Sequence, residues 1–122
     1  MNYSSIEIGK HTEKLAIKYL ENHNLLVIEQ NFRSKFGEID IICHDEKQQQ
    51  IVFVEVRYRK STFFGHPAES INKNKQRKLI NTAKYYILTK MNRTNLSYRF
   101  DIIACSGPLN YIKIDWIINA FN

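Results

Sequence analysis

The sequence predicts an α/β fold in which helices flank a central mixed β-sheet. Residues 38 to 43 and 51 to 58 alternate apolar and polar side chains with the period of two that strands require. Amphipathic helical patterns cover residues 4 to 23 and 68 to 90. The second helix connects two strands, so the strand that begins at residue 98 is expected to have a parallel neighbour. We expect one domain over residues 1 to 122.

Composition indicates an ordinary globular protein with an excess of positive charge. Hydrophobic residues make up 43% of the chain and charged residues 25%. The 18 Lys and Arg against 12 Asp and Glu give a net charge of +6, which suits a polyanionic partner such as nucleic acid. The longest apolar runs have the length of strands, and the first residues carry no export signal. We therefore expect a cytoplasmic protein with no membrane partner.

The first helix, predicted over residues 4 to 23, carries an acid at the edge of its apolar stripe. One of two serines can cap its start, with Glu7 in the first turn. The stripe consists of Ile8, Leu15, Ala16, Tyr19 and Leu20. Glu13 borders this stripe. Its carboxylate either turns inward or stays a solvated charge paired with Lys10 or Lys18.

Shorter signals predict the remaining elements. Strands are expected at residues 25 to 32, 98 to 105 and 111 to 117, a polar turn at 91 to 95, and a short helix or tail from 118. Gly37 is expected to provide a turn or a close backbone approach. Asp101 is an acid in an apolar strand, which favours a structural ion pair with Arg99 or a helix lysine over a place beside a metal site.

Two pairs of residues are assigned to the core. Phe63 and Phe64 occupy the loop after the central hairpin, where we expect them to cap the core. Stacking on an unpaired base is their alternative use. Cys43 and Cys105 lack the spacing of a zinc site or a disulfide framework, so they are expected to be small core residues.

Acids interrupt both strands of the central hairpin. Alternation places Glu38 and Asp40 on one face of the first strand and Ile39 and Ile41 on the other. Glu55 and Arg57 share a face of the second strand. These positions depend on which residues of the two strands stand opposite each other.

The expected antiparallel register sets Asp40 opposite Glu55, with directly opposed side chains roughly 5 Å apart. Two carboxylates that close repel unless a positive charge lies between them, and a divalent cation with oxygen ligands fits this need. The same register sets Glu38 opposite Arg57. The alternative is therefore a Glu38–Arg57 surface pair, with the other two acids on a solvated face.

These segments also carry a family resemblance. GEIDIIC followed by IVFVEVRYR resembles the core of the PD-(D/E)xK nuclease superfamily. Together with GKHTEKLAIKYL, NFR, FGHPAES, NKQRKL and YRFDIIA, in that order, they resemble the uncharacterised bacterial protein family 0102, which is described as Holliday-junction-resolvase-like. The resemblance runs through nearly the whole chain. It implies a restriction-endonuclease-like three-layer α/β/α fold and a metal-dependent endonuclease acting on structured or branched DNA.

The resemblance also implies roles for individual residues. Asp40 and Glu55 would hold Mg²⁺ or Mn²⁺, joined by the backbone carbonyl of Val56 and, through water, by Glu13. Arg57 stands where the motif has lysine. It would keep the positive charge needed at the phosphate, but arginine cannot accept a proton from water. The implied catalytic residues are thus Glu13, Asp40, Glu55 and Arg57.

Nucleic-acid contacts are expected from basic residues outside this group. Those assigned are Arg33, Lys73, Lys75, Gln76 and Arg77. Lys75 and Gln76 match a Lys-Gln pair of the family pattern, whereas a solvated charged face is the alternative for the helix lysines. By analogy with resolvases that cut two strands symmetrically, a homodimer is expected.

Two other function classes compete with the enzyme. The chain could be a non-catalytic nucleic-acid-binding module with the same fold. It could also be a protein-interaction domain whose basic charge serves only solubility. Divalent-metal binding and salt-sensitive DNA binding without cleavage would favour the first, and the absence of both would favour the second.

Overall fold

The computed structural model describes residues 3–92 and 96–122. Its main elements are α1 (Ser5–Asn22), β1 (Leu25–Ser34), β2 (Gly37–Asp45), β3 (Gln50–Arg59), α2 (Lys73–Tyr86), β4 (Tyr98–Ser106) and β5 (Lys113–Phe121). A 3-10 turn, Pro67–Ser70, precedes α2, and a π-helical turn, Ile87–Met91, follows it. None of the described helices has both the length and the apolar character needed to cross a membrane.

The five strands form one mixed sheet in the order β1-β2-β3-β4-β5. Strands β3 and β4 are parallel, as the crossover through α2 predicts, and the other neighbours are antiparallel. Helix α1 packs against β1 and β3, and α2 packs against β2 and β1. The helices cover separate apolar cores on the two faces of the sheet. The predicted three-layer, restriction-endonuclease-like α/β/α class is confirmed.

Strand β2 does not keep the regular alternation that its sequence predicts. Ile39 packs with Ile42 in the core under α2, whereas Ile41 packs in the core under α1. The prediction that Ile39 and Ile41 share a face is therefore wrong. The change occurs at Asp40, between the Gln30↔Ile41 and Phe32↔Ile39 pairs, where Asn31 of β1 has a left-handed backbone (φ 52°). Burial of an isoleucine is worth roughly 2 kcal/mol, which favours an arrangement with both side chains in a core and Asp40 between them.

Helix α1 begins as predicted. The Ser4 side chain accepts a hydrogen bond from the Glu7 N–H, and the Glu7 carboxylate accepts one from the Ser4 N–H. This capping box satisfies two otherwise free amide groups and fixes where the helix starts. The first residue of α1 in turn determines which face of the helix carries Glu13.

Helix α2 is shorter than predicted, and the single helix over residues 68 to 90 is wrong. The 3-10 turn ends before Ile71, which is buried, and α2 starts afresh with Asn72 as its N-cap. The Asn72 side chain accepts from the Lys75 N–H at 2.9 Å. Asparagine is more favourable at a helix cap than in a helix interior, because its side chain competes with the helix for backbone hydrogen bonds. Of the turn predicted at 91 to 95, residues 93 to 95 lie outside the described residues.

Asp101 organises the C-terminal part of the sheet. It is fully buried and accepts hydrogen bonds from Arg99 Nε (3.0 Å), Trp116 Nε1 (3.0 Å) and the Asn119 N–H (2.9 Å). The predicted structural pair with Arg99 is confirmed. Asn119 adopts a left-handed backbone (φ 53°), and β5 continues beyond it to Phe121. The helix or tail predicted from residue 118 is therefore wrong, because a buried carboxylate holds this segment as a strand.

Replacing Asp101 by asparagine should lower the free energy of unfolding by about 2 kcal/mol, since one amide oxygen cannot accept from three donors and a buried unsatisfied donor is costly. Urea unfolding of Asp101→Asn measures this. Glu46→Gln, at an exposed position, is the matched control and should leave the midpoint unchanged. Equal midpoints for both variants would contradict the role assigned to Asp101.

Candidate functional site

The register of β2 and β3 places Asp40 beside the second half of β3. Their paired residues run from Asp45↔Gln50 to Ile41↔Val54, which is the predicted register. Beyond that pair, the Asp40 side chain links the two strands: its Oδ2 accepts a hydrogen bond from the Val56 N–H at 2.9 Å. A carboxylate thus occupies a position where a regular ladder would present a backbone carbonyl.

Glu55 lies on the α2 face of β3 and is only 5% exposed. Its Oε2 atom contacts two cations, Arg57 Nη2 at 2.9 Å and Lys75 Nζ at 3.4 Å. Arg57 comes from the same strand, two residues further on, and Lys75 comes from the first turns of α2. The capped start of α2 therefore brings a second positive charge to a buried acid.

The carboxylates of Asp40 and Glu55 interact directly. Burial, followed by the negative charge of Asp40 and a hydrogen bond with it, raises the pKa of Glu55 to about 8. Lys75 and Arg57 act in the opposite direction but do not cancel these effects. A pKa of about 8 keeps Glu55 protonated at neutral pH when no cation lies beside it. The predicted encounter of Asp40 with Glu55 is thus present.

Glu13 approaches this pair from α1. It is partly buried, and its Oε1 accepts a hydrogen bond from Asn31 Nδ2 at 2.9 Å. Burial first, and the charge of Asp40 second, raise the pKa of Glu13. The carboxylate therefore lies within electrostatic range of Asp40.

The three acids do not form a compact set of ligands. Across residues 3–92 and 96–122, no three His, Cys, Asp or Glu side chains are grouped as ligands of one metal ion. Direct ligation would fall to Asp40 and Glu55. A water-mediated role for Glu13 and ligation by the Val56 carbonyl stay predictions.

Arg57 does not pair with Glu38, so that alternative is wrong. Its partner is Glu55, whereas Glu38 lies 3.4 Å from Arg33. The Arg33 side chain is 76% exposed, so this ion pair contributes little and leaves Arg33 available for a phosphate. Within the described part of the chain, Arg57 Nε is the one buried side-chain polar atom with no hydrogen-bond partner. Arg57 thus keeps an unused donor beside the carboxylates.

The other residues assigned to nucleic acid lie along α2. Lys73 and Arg77 are exposed, and Gln76 is partly buried, with its Nε2 donating to the Ile71 carbonyl at 3.2 Å. Gln76 therefore also helps to hold the break before α2. Lys75 lies at the seam of helix and sheet, as its spacing from Leu79 predicts, but the spacing does not predict its contact with Glu55.

Sequence reasoning missed the role of Asn31. The NFR motif includes Asn31 but assigned it no role, although asparagine is a frequent choice for a left-handed backbone. Its backbone is left-handed where β1 passes Asp40, and its side chain holds Glu13. Asn31 therefore supports two of the three predicted acids.

A separate cleft of about 610 Å³ lies at the other end of these strands, beside Asp45, Arg99 and Trp116. Arg99 Nη1 donates to Asp45 at 2.8 Å, and Trp116 donates to Asp101. The charged groups of this cleft are thus engaged with one another. The carboxylate pair with its two cations is the better candidate for chemistry.

The fold and the site define an α/β protein with a buried acidic pair between two central strands. The sequence model of "Uncharacterised protein family UPF0102" matches residues 12–105. The chain belongs to this family, and the resemblance to family 0102 is confirmed.

Similar proteins from distant bacteria match almost end to end. The UPF0102 protein of Vibrio parahaemolyticus is 41% identical over 98% of this chain and 96% of its own length. That of Psychromonas ingrahamii is 47% identical over 93% and 88%. That of Clostridium botulinum strain 657 is 42% identical over 99% and 98%. The family is thus represented by proteins of about this length.

The raised pKa of Glu55 predicts how stability depends on pH in metal-free buffer. The folded state binds this proton more tightly than the unfolded state, so the free energy of unfolding should fall as pH rises from the ordinary value of 4.5 to about 8. The contribution of one such group is at most about 1.4 kcal/mol per pH unit.

Urea unfolding of the wild type and Glu55→Gln at several pH values, with EDTA present, measures this effect. Glu55→Gln should remove most of the decline, whereas Glu46→Gln should keep it. Parallel pH profiles for the wild type and Glu55→Gln would contradict the raised pKa.

Proposed function

We propose that this protein is a metal-dependent endonuclease that acts on structured or branched DNA. The observation that carries the proposal is the placement of two acids side by side: Asp40 accepts from the N–H of Val56, and the neighbouring Glu55 contacts Arg57 and Lys75. Paired acids suit a divalent cation, and adjacent cations suit the negative charge that develops on a phosphate during hydrolysis.

The residues fit Mg²⁺ or Mn²⁺. Mg²⁺ is usually held by one or two carboxylates and several waters, and Asp40 and Glu55 supply that number. The raised pKa of Glu55 supports the fit, because a cation beside the carboxylates would favour the ionised form of Glu55 that the charge of Asp40 disfavours. When bound, the metal would polarise the phosphate and lower the pKa of the attacking water. Glu13 would orient water at the edge of the site.

Together, Lys75 and Arg57 take the role that one lysine has in the superfamily motif. Lys75 Nζ reaches the same Glu55 oxygen as Arg57, so the helix supplies the compact ammonium that the strand lacks. Arg57 supplies a fixed charge and the free Nε donor. Both side chains are held near the carboxylates before substrate arrives, which reduces the cost of ordering them.

The basic surface beside the site is suited to flanking phosphates. Lys73 and Arg77 are exposed on α2, and Arg33 is exposed at the end of β1. Together with the net charge of +6, they favour binding to a DNA backbone without regard to sequence. Recognition of a particular DNA shape then has to come from another feature of the protein.

Cleavage of labelled four-way-junction, flap and linear DNA in Mg²⁺ or Mn²⁺ tests the proposal. The wild type should cleave, and Asp40→Asn and Glu55→Gln should each lose about a hundredfold or more in rate, because each removes a carboxylate charge from the metal site. Both variants should still bind DNA. Glu46→Gln should cleave like the wild type. If the wild type binds DNA but leaves all three substrates intact, the non-catalytic binding module replaces the enzyme.

Substitutions of the two cations separate their roles. Arg57→Ala and Lys75→Ala should each lose about a hundredfold in rate, since one preorganised charge at a developing phosphate charge is worth about 3 kcal/mol. Arg57→Lys should retain or raise cleavage. Single-turnover rates at saturating enzyme measure these effects, with Lys84→Ala, an exposed lysine in the last turn of α2, as the control. Full activity in Arg57→Ala and Lys75→Ala would contradict their placement at the phosphate.

Binding to DNA should weaken steeply as salt rises. Neutralising Lys73 or Arg77 should lower the slope of log affinity against log salt by about 0.9 if each contacts one phosphate. The change should be similar for all DNA sequences. Fluorescence anisotropy over a salt series measures the slope, and Lys47→Ala, in the exposed β2–β3 turn, is the control. A wild-type slope near zero would exclude α2 as a phosphate contact.

A further inference from the structure

Phe63 and Phe64 stand almost entirely in solvent, in the loop after β3. Their side chains are 84% and 86% exposed, so the prediction that they cap the core is wrong. The rings meet edge to face, with centroids 4.9 Å apart and planes at 84°. Burial of a phenylalanine side chain stabilises the folded state by roughly 2 kcal/mol, and neither ring is buried here.

The backbone that carries these rings is held in place. The Gly65 N–H donates to the Thr62 carbonyl at 3.0 Å, and Arg59 Nη1 donates to the Phe64 carbonyl at 3.2 Å. Gly65 has a φ of +127°, and a Cβ there would overlap the Glu69 carboxylate. The loop is thus a fixed support that points two rings outward.

The rings follow the strand that carries the candidate site. Arg59 shares the face of β3 that carries Glu55 and Arg57, and it is also the residue that donates to the Phe64 carbonyl. Arg59 and the exposed Lys60 directly precede the loop and add positive charge beside it. The rings and the candidate site thus belong to one stretch of chain with basic residues between them.

We propose that Phe63 and Phe64 form a stacking platform for unpaired bases, which directs the protein to DNA with a branch or single-stranded segment. This inference rests on the proposed function. Aromatic rings stack on any exposed base, whereas bases inside a regular duplex already stack on each other. The platform therefore distinguishes DNA structures and not sequences.

A nucleic acid fits this patch better than a second copy of the chain. Two phenylalanines offer on the order of 400 Å², about half of what each partner contributes to a stable interface. A two-fold contact through the loop would also bring Arg59 and Lys60 of both copies together, and like charges repel. The same charges attract a DNA backbone.

Fluorescence anisotropy without added divalent metal tests the platform on three DNAs of equal length: a linear duplex, a duplex with a five-nucleotide gap and a four-way junction. The double variant Phe63→Ala/Phe64→Ala should lose about a hundredfold in affinity for the gapped DNA, at about tenfold for each stacked base. Its affinity for the duplex should change less than about twofold. A 2-aminopurine in the gap should change fluorescence with the wild type and not with the variant.

Two further variants serve as controls. Ile6→Ala/Leu88→Ala removes two exposed apolar side chains from other surfaces and should bind all three DNAs like the wild type. Phe63→Trp/Phe64→Trp should retain the preference for the gap, because tryptophan also stacks. Unfolding midpoints of all variants should match the wild type, since the substituted side chains are exposed.

The possible results separate the platform from the proposed function. Equal losses on duplex and gapped DNA, or no loss at all, overturn the platform and leave the endonuclease in place. A variant that converts a dimer to a monomer in sedimentation shows a self-interface and also overturns it. Selective binding to gapped DNA without cleavage supports the platform and rejects the enzyme. No affinity of the wild type for any DNA overturns both.

Discussion

The structure depends on one hydrogen bond, from the Val56 N–H to the carboxylate of Asp40. A charge-assisted bond of this kind contributes about 1.5–3 kcal/mol, which offsets part of the repulsion from Glu55. It forms where β2 leaves its regular alternation, beside the left-handed backbone of Asn31. Ile39 and Ile41 pack in different cores, so burial on both faces maintains this arrangement. Hydrophobic packing thereby holds two carboxyl groups together.

The state of the Glu55 carboxyl depends on what lies beside it. Two acids and two cations meet in a region that excludes water from Glu55, where electrostatic interactions are stronger than at the surface. A proton on Glu55 and a cation beside it are therefore two alternative ways to lower the repulsion from Asp40.

The sequence predicted the features that local rules determine, namely the β2–β3 register, the contact of Asp40 with Glu55, the parallel crossover and the cap of α1. It failed where a specific side-chain contact overrides the hydrophobic pattern. Asp101 holds residues after 117 as a strand, Asn72 restarts α2, and Arg57 pairs within its own strand instead of across to Glu38. The exposure of Phe63 and Phe64 was not predicted, because apolar residues are buried in most folds. In the sequence, Gly65 was the residue that indicated a constrained loop.

The restart of α2 at Asn72 has a consequence for how such a protein can vary. Because the cap fixes the helical phase locally, the position of Lys75 over the sheet is set by Asn72 and not by the length of the loop between β3 and α2. Insertions or deletions between Arg59 and Pro67 would alter the aromatic loop while the cations at Glu55 stay in register. The aromatic loop and the helix start that carries Lys75 can therefore diverge independently within one crossover.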